Sequence, residues 1–187
     1  MKEVPAMGVF NADNQFCAFL RGVNVKGTNM KMAEVCSVFK RAGMQNVSSV
    51  LASGNILFSS ERRAQELKQT LEKAMSDHFS YEAYLFVKSR QEIETIFREI
   101  PFETDSRYHI YGFVGVDGVA KMLMSEFDKS KKALGEAAQL VDCNFYWKVP
   151  KGNTLDSEFG KILGIKNLKS SFTSRNINTF EKVLKKM

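Results

Sequence analysis

The sequence is short of the residues most enzymes use to make and break bonds. Its 187 residues include only two histidines, three cysteines, three prolines and one tryptophan. His78 and His109 stand far apart with no motif around either, and both read as structural. Cys17, Cys36 and Cys143 are widely spaced and odd in number, which excludes a metal or redox pair by spacing. Each falls in an apolar run, so all three are expected as buried small hydrophobes. Neither a Ser-His-Asp set, a Cys-His pair nor a metal-ligand cluster can be read, and the acidic residues scatter over helix surfaces without pairing. No metal is expected, no cofactor is implied, and nothing supports a nucleophilic or water-activating enzyme. No apolar run approaches the roughly 20 residues of a membrane-crossing helix, so no membrane partner is expected. The stretch 1–15 also lacks the apolar core of a signal peptide. It reads as a loose tail on a cytoplasmic protein.

What is present is ordinary globular material, with 44% hydrophobic and 26% charged residues. The net charge of +6 is unevenly placed. Residues 1–144 are balanced, whereas 145–187 hold nine basic residues (Lys148, Lys151, Lys161, Lys166, Lys169, Arg175, Lys182, Lys185 and Lys186) against three acidic ones. Such an excess suits an anionic ligand or a nucleic acid.

The periodicity predicts α+β architecture. Phe16 to Leu20 is continuously apolar, as in a central strand. Asn29 is placed to cap a helix with Met32, Val35, Cys36 and Phe39 on one face, closed by Gly43. Short strands Val50 to Ala52 and Ile56 to Phe58 flank a hairpin turn at Ser53-Gly54-Asn55. A second helix carries Leu67, Leu71, Ala74, Met75 and His78, and Tyr84 to Val87 reads as a strand. Ser89 and Glu92 form a capping-box pattern opening a bridging helix that Pro101 stops.

The order then repeats. A strand from Tyr111 leads to a helix with Ala120, Leu123, Met124 and Phe127. A hairpin at Asp142-Cys143-Asn144 follows, then a helix capped by Asp156, a short strand Ser171 to Thr173, and a last helix with Ile177, Phe180, Val183 and Leu184. Matching landmarks are offset by 88 residues (Met32 to Ala120) and 89 (Gly54 to Cys143), which suggests internal duplication. The expected organisation is a tail at 1–15, a ferredoxin-like βαββαβ half at 16–89, a bridging helix and linker at 90–107, and a second such half at 108–187. The sheets are expected to be antiparallel, with helices packed on them.

Three polar segments stand out from their surroundings. Arg21, Gly22, Asn24 and Gly27 follow a buried strand, where glycines let the backbone approach a ligand and the Arg fork suits phosphate or carboxylate. Ser53, Gly54 and Asn55 form the second segment. The third runs from Thr173 to Thr179, where Asn176 suffices as a helix cap and Arg175, Asn178 and Thr179 are left over. An Arg at a helix start opposes the helix dipole unless an anion offsets it.

These segments, read as Phe19-Leu20-Arg21-Gly22-Val23-Asn24-Val25, Ser53-Gly54-Asn55-Ile56-Leu57-Phe58 and Thr173-Ser174-Arg175-Asn176-Ile177-Asn178-Thr179, together with Lys31-Met32-Ala33-Glu34, resemble a large, mainly bacterial family, domain of unknown function 1697. The resemblance spans roughly 16 to 186. The family pattern has Trp where Ile177 stands, Gly at Lys26 and Gln at Ala52. It supports the fold reading and the clustering of the motifs and implies no activity. The expectation for function is binding of an anionic small molecule, a nucleotide or phosphate ester. Arg21 and Arg175 would supply charge, Asn24, Asn55 and Asn178 directional hydrogen bonds, and the backbone near Gly22, Gly27 and Gly54 N–H donors. The alternatives are a nucleic-acid-binding module using the basic 145–187 segment with Phe145-Tyr146-Trp147, and an interaction scaffold whose polar segments serve only the fold.

Overall fold

The computed structural model describes residues 14–23 and 30–187, with the backbone alone at Lys166. Asn24, Gly27 and the proposed Asn29 cap lie outside the described residues.

Two ferredoxin-like units follow one another. The first runs β1 (Gln15–Arg21), α1 (Met32–Arg41), β2 (Gln45–Val50), β3 (Asn55–Ser59), α2 (Ala64–Phe79) and β4 (Tyr84–Ser89). Its antiparallel sheet has the order β2-β3-β1-β4. Next comes α3 (Arg90–Arg98). The second unit runs β5 (Tyr108–Gly115), α4 (Val119–Lys129), β6 (Ala137–Val141), β7 (Asn144–Pro150), α5 (Glu158–Ile162) and β8 (Phe172–Asn176), ordered β6-β7-β5-β8, and α6 (Ile177–Lys186) follows it. Strand order and element order are thus the same in both units.

The packing explains why β1 is apolar on both faces. Ala18 and Leu20 face one core with α1 and α2, whereas Cys17 and Phe19 face a middle core. That middle core holds Ile93 and Ile96 of α3, Phe180 and Val183 of α6, and Val114 and Tyr146 of the second sheet. The helix that follows each unit therefore lies between the two sheets, α3 against α6. A third core, rich in aromatic rings, sits under α4 and α5. Both middle helices begin at side-chain caps. Ser89 Oγ accepts from Glu92 N–H while Glu92 Oε2 accepts from Ser89 N–H, and Asn176 Oδ1 accepts from Asn178 N–H.

Several boundaries differ from the sequence expectation. The first hairpin turn occupies residues 51–54, with Leu51 in the left-handed region at φ 60°, and Asn55 begins β3. Asn144 likewise begins β7, and the turn is Asp142-Cys143, with Asp142 at φ 49°. In both hairpins the polar residue after the turn already pairs across the ladder. Ser157, not Asp156, caps α5, its Oγ accepting from Gly160 N–H. The strand expected to end at Thr173 continues to Asn176, so Arg175 lies on a strand and not at a helix start. Of the cysteines, Cys17 is fully buried and Cys143 is exposed on its turn, because a turn apex has no core to enter. His78 leaves the apolar stripe of α2 and pairs outward with Glu34, at 2.9 Å.

Candidate functional site

Arg175 reaches from β8 of the second unit into the first. Gly112 lies opposite it on β5, where a Cβ would come within 2.9 Å of the Phe180 ring. The guanidinium is satisfied on every side. Its Nε donates to Asn55 Oδ1 at 2.6 Å, one Nη to Thr173 Oγ1 and Ser174 O, and the other to Leu20 O at 2.6 Å, Ser53 O at 3.1 Å and Gly54 O at 3.3 Å. Asn55, fully buried, completes the cluster by donating to Val50 O and Ser53 Oγ. The three polar segments therefore meet in space, and Arg175 is what joins them. Burial holds its pKa down to about 10, and the positive charge of nearby Arg21 acts in the same direction. Burial also raises the Cys17 thiol, which stays protonated and inert.

Arg21 makes the reverse crossing. From the end of β1 it donates to Phe172 O, to Leu168 O and, at 2.8 Å, to Leu163 O of the second unit, with its guanidinium 4.7 Å above the Phe172 ring. It is half-buried, and burial lowers its pKa. Gly22 follows in the left-handed region at φ 77° and Gly54 is at φ 74°, conformations that favour glycine. Each of the two arginines is thus aimed at carbonyl oxygens of the opposite unit. Arg175, 8% exposed with all its donors engaged, has no N–H left for a ligand.

The remaining predicted residues lie next to this cluster. Asn176 caps α6 and its Nδ2 is 3.4 Å from His109 Nδ1. Thr179 is buried and Asn178 exposed in the first turn of α6. Together they line one side of a groove of about 610 Å³ whose other walls bring Leu51 from the first unit and Tyr108, His109, Tyr111 and Lys151 from the second, with Lys182 one turn along α6. Lys151 and Lys182 are exposed and have no ion pair among the described residues. The one carboxylate among the groove's described residues, Asp105, is bound by Arg107 through both oxygens, and this hydrogen bonding lowers its pKa to about 2. Lys151, Lys182 and His109 were not singled out from sequence. Lys182 is four residues after Asn178 and so shares its helix face, which is readable; His109 needs the β5–β8 ladder, where Tyr111 pairs with Asn176.

Phe145, Tyr146 and Trp147 are wholly buried and offer no ring face to a base. Among the described residues no group of His, Cys, Asp and Glu is placed to hold a metal ion, and no helix is long and apolar enough to cross a membrane.

A family model described as "Protein of unknown function (DUF1697)" matches residues 14–146. No curated protein matches the chain. Among solved structures, the conserved bacterial protein SP0830 from Streptococcus pneumoniae is similar at a TM-score of 0.74 and 21% identity, covering 92% of this chain and 97% of that one. At that identity the likeness shows a shared fold.

Proposed function

Because the chain belongs to the DUF1697 family, proteins of unknown function, its role must be read from its own groove, and we propose that it binds an anionic small molecule, a nucleotide or phosphate ester, at the start of α6. One observation carries the reading. Two lysines with no carboxylate partner among the described residues, Lys151 and Lys182, border a groove that also holds Asn178 and the rings of Tyr108 and Tyr111. Its volume falls within the roughly 300–1,000 Å³ of small-molecule sites. The ammonium groups supply charge, Asn178 a directional donor, and the tyrosines an apolar face for a ring. In this reading Arg21 and Arg175 hold the walls together and do not touch the ligand. We also infer a cytoplasmic, bacterial protein that arose by duplication; the 88- and 89-residue offsets and the repeated strand order support the last point.

A thermal-shift series with nucleotides, sugar phosphates and short oligonucleotides tests this. A ligand that binds only the folded state stabilises it by about 2.7 kcal/mol at a hundredfold excess over Kd. The expected result is a raised Tm in the wild type that Lys151→Ala with Lys182→Ala abolishes. No shift with any anion, or one the double variant keeps in full, sinks the proposal and favours a scaffold. A shift confined to oligonucleotides with steep salt dependence replaces it by nucleic-acid binding.

A further inference from the structure

A strand at a sheet edge presents unpaired N–H and C=O groups that template another strand. Among the described residues, three of the four sheet edges are closed. On β4, Leu85 N–H donates to the Glu72 carboxylate of α2 at 3.0 Å. β8 packs against β1 and β4, and Arg21 donates to its Phe172 carbonyl. β2 is broken by a register shift between Gln45 and Ser48, with Asn46 at φ 50°, and Lys186 of α6 donates to its Ser49 carbonyl at 2.8 Å.

β6 has none of these devices. Its five residues, Ala137–Val141, include no charge and no proline, keep an unbroken register with β7, and leave Leu140 36% exposed. The turn to β7 has two residues, so Val141 and Asn144 form its hydrogen-bonded closing pair. Alternation along the ladder then points the N–H and C=O groups of Ala138 and Leu140 away from β7. Among the described residues no group from another element bonds to them.

We infer that β6 pairs antiparallel with β6 of a second copy of this chain, joining two four-stranded sheets into one continuous sheet across a twofold axis. The strand's composition selects this occupant. Across a twofold the central residue meets itself and its neighbours lie beside their own copies, so a charge near the centre would be set close to a like charge, and β6 carries none. Its two ends complement one another. Exposed Lys131 stands before the turn that leads into the strand and exposed Asp142 follows the strand, so antiparallel self-pairing sets a basic loop of one copy on the same side as the acidic turn of the other, twice over. Glu136, the acid in the preceding loop, is turned inward to accept from Trp147 Nε1. Centred on Gln139, the pairing also sets each exposed Leu140 against the small Ala138 of the other copy.

Sedimentation velocity over a roughly hundredfold range of concentration tests the inference. The expected result is a reversible shift from one chain mass to twice that mass. Ala138→Pro removes only an outward N–H, and Leu140→Lys adds a charge at the open edge. Each is expected to keep the wild-type circular dichroism and stay monomeric throughout. If the proline variant does not fold, Leu140→Lys decides alone, because its side chain already reaches solvent. A wild type that stays monomeric, a Leu140→Lys variant that dimerises as the wild type does, or growth past the dimer overturns the inference, since twofold pairing consumes the one open edge.

Discussion

Arg21 and Arg175 do the same job in opposite directions and to different depths. Arg21 leaves the first unit at the end of β1, lies half-buried over a ring, and donates to three carbonyls of the second. Arg175 leaves the second unit near the end of β8 and is closed off from solvent by carbonyls and a buried amide of the first. The contrast shows what a buried cation requires. Without a carboxylate bonded to it, its desolvation is offset only when each donor finds an oxygen. A guanidinium that water can reach is under no such constraint.

The comparison breaks most readily at Arg175. Arg175→Met should lower unfolding free energy by about 3 kcal/mol or more in urea titrations, because Leu20 O, Ser53 O and Asn55 Oδ1 lose their donor together. Arg175→Lys should recover less than half, since an ammonium lacks the planar fork. Gly54→Ala tests the surface the guanidinium rests on. A Cβ there lies 2.5 Å from Val23 Cγ2 and 3.0 Å from Leu20 Cβ, at a φ of +74°. The same titration should show a loss of about 2 kcal/mol. Arg21→Gln should cost only about 1 kcal/mol, because water replaces much of what is lost. An Arg21 loss equal to that of Arg175 would erase the distinction between them.

Much of the fold was legible in the residues. The apolar stripes of α1, α2, α4 and α6, the Ser89–Glu92 capping box, the Asn176 cap and the doubled βαββαβ order all follow from local periodicity and side-chain chemistry. The polar surplus at Arg175, Ser53 and Asn55 was also visible, and these residues do converge. What the sequence hides is where their partners come from. Arg175 draws its acceptors from residues more than 100 positions earlier, and a local reading sees only unpaired donors and assigns them to a ligand. Hairpin boundaries failed for a related reason. Asn55 and Asn144 are turn-forming residues by propensity, but each pairs across the ladder as the first residue of its strand. The groove at α6 escaped because Lys151, His109 and Lys182 come together only through the pairing of β5 with β7 and β8.

The reach of Arg175 also sets a timetable. A ribosome releases β1 and β3 long before it makes residue 175, and until then Leu20 O, Ser53 O and Asn55 Oδ1 lack the donor that Arg175 brings them. Domains generally fold as they emerge, and incomplete ones expose what chaperones and proteases recognise. The first unit therefore gains this donor only once the second has been made. A chain cut short of β8 would leave Leu20 O and Ser53 O without this donor, so the crossing arginine ties the close packing of the first unit to the completion of β8.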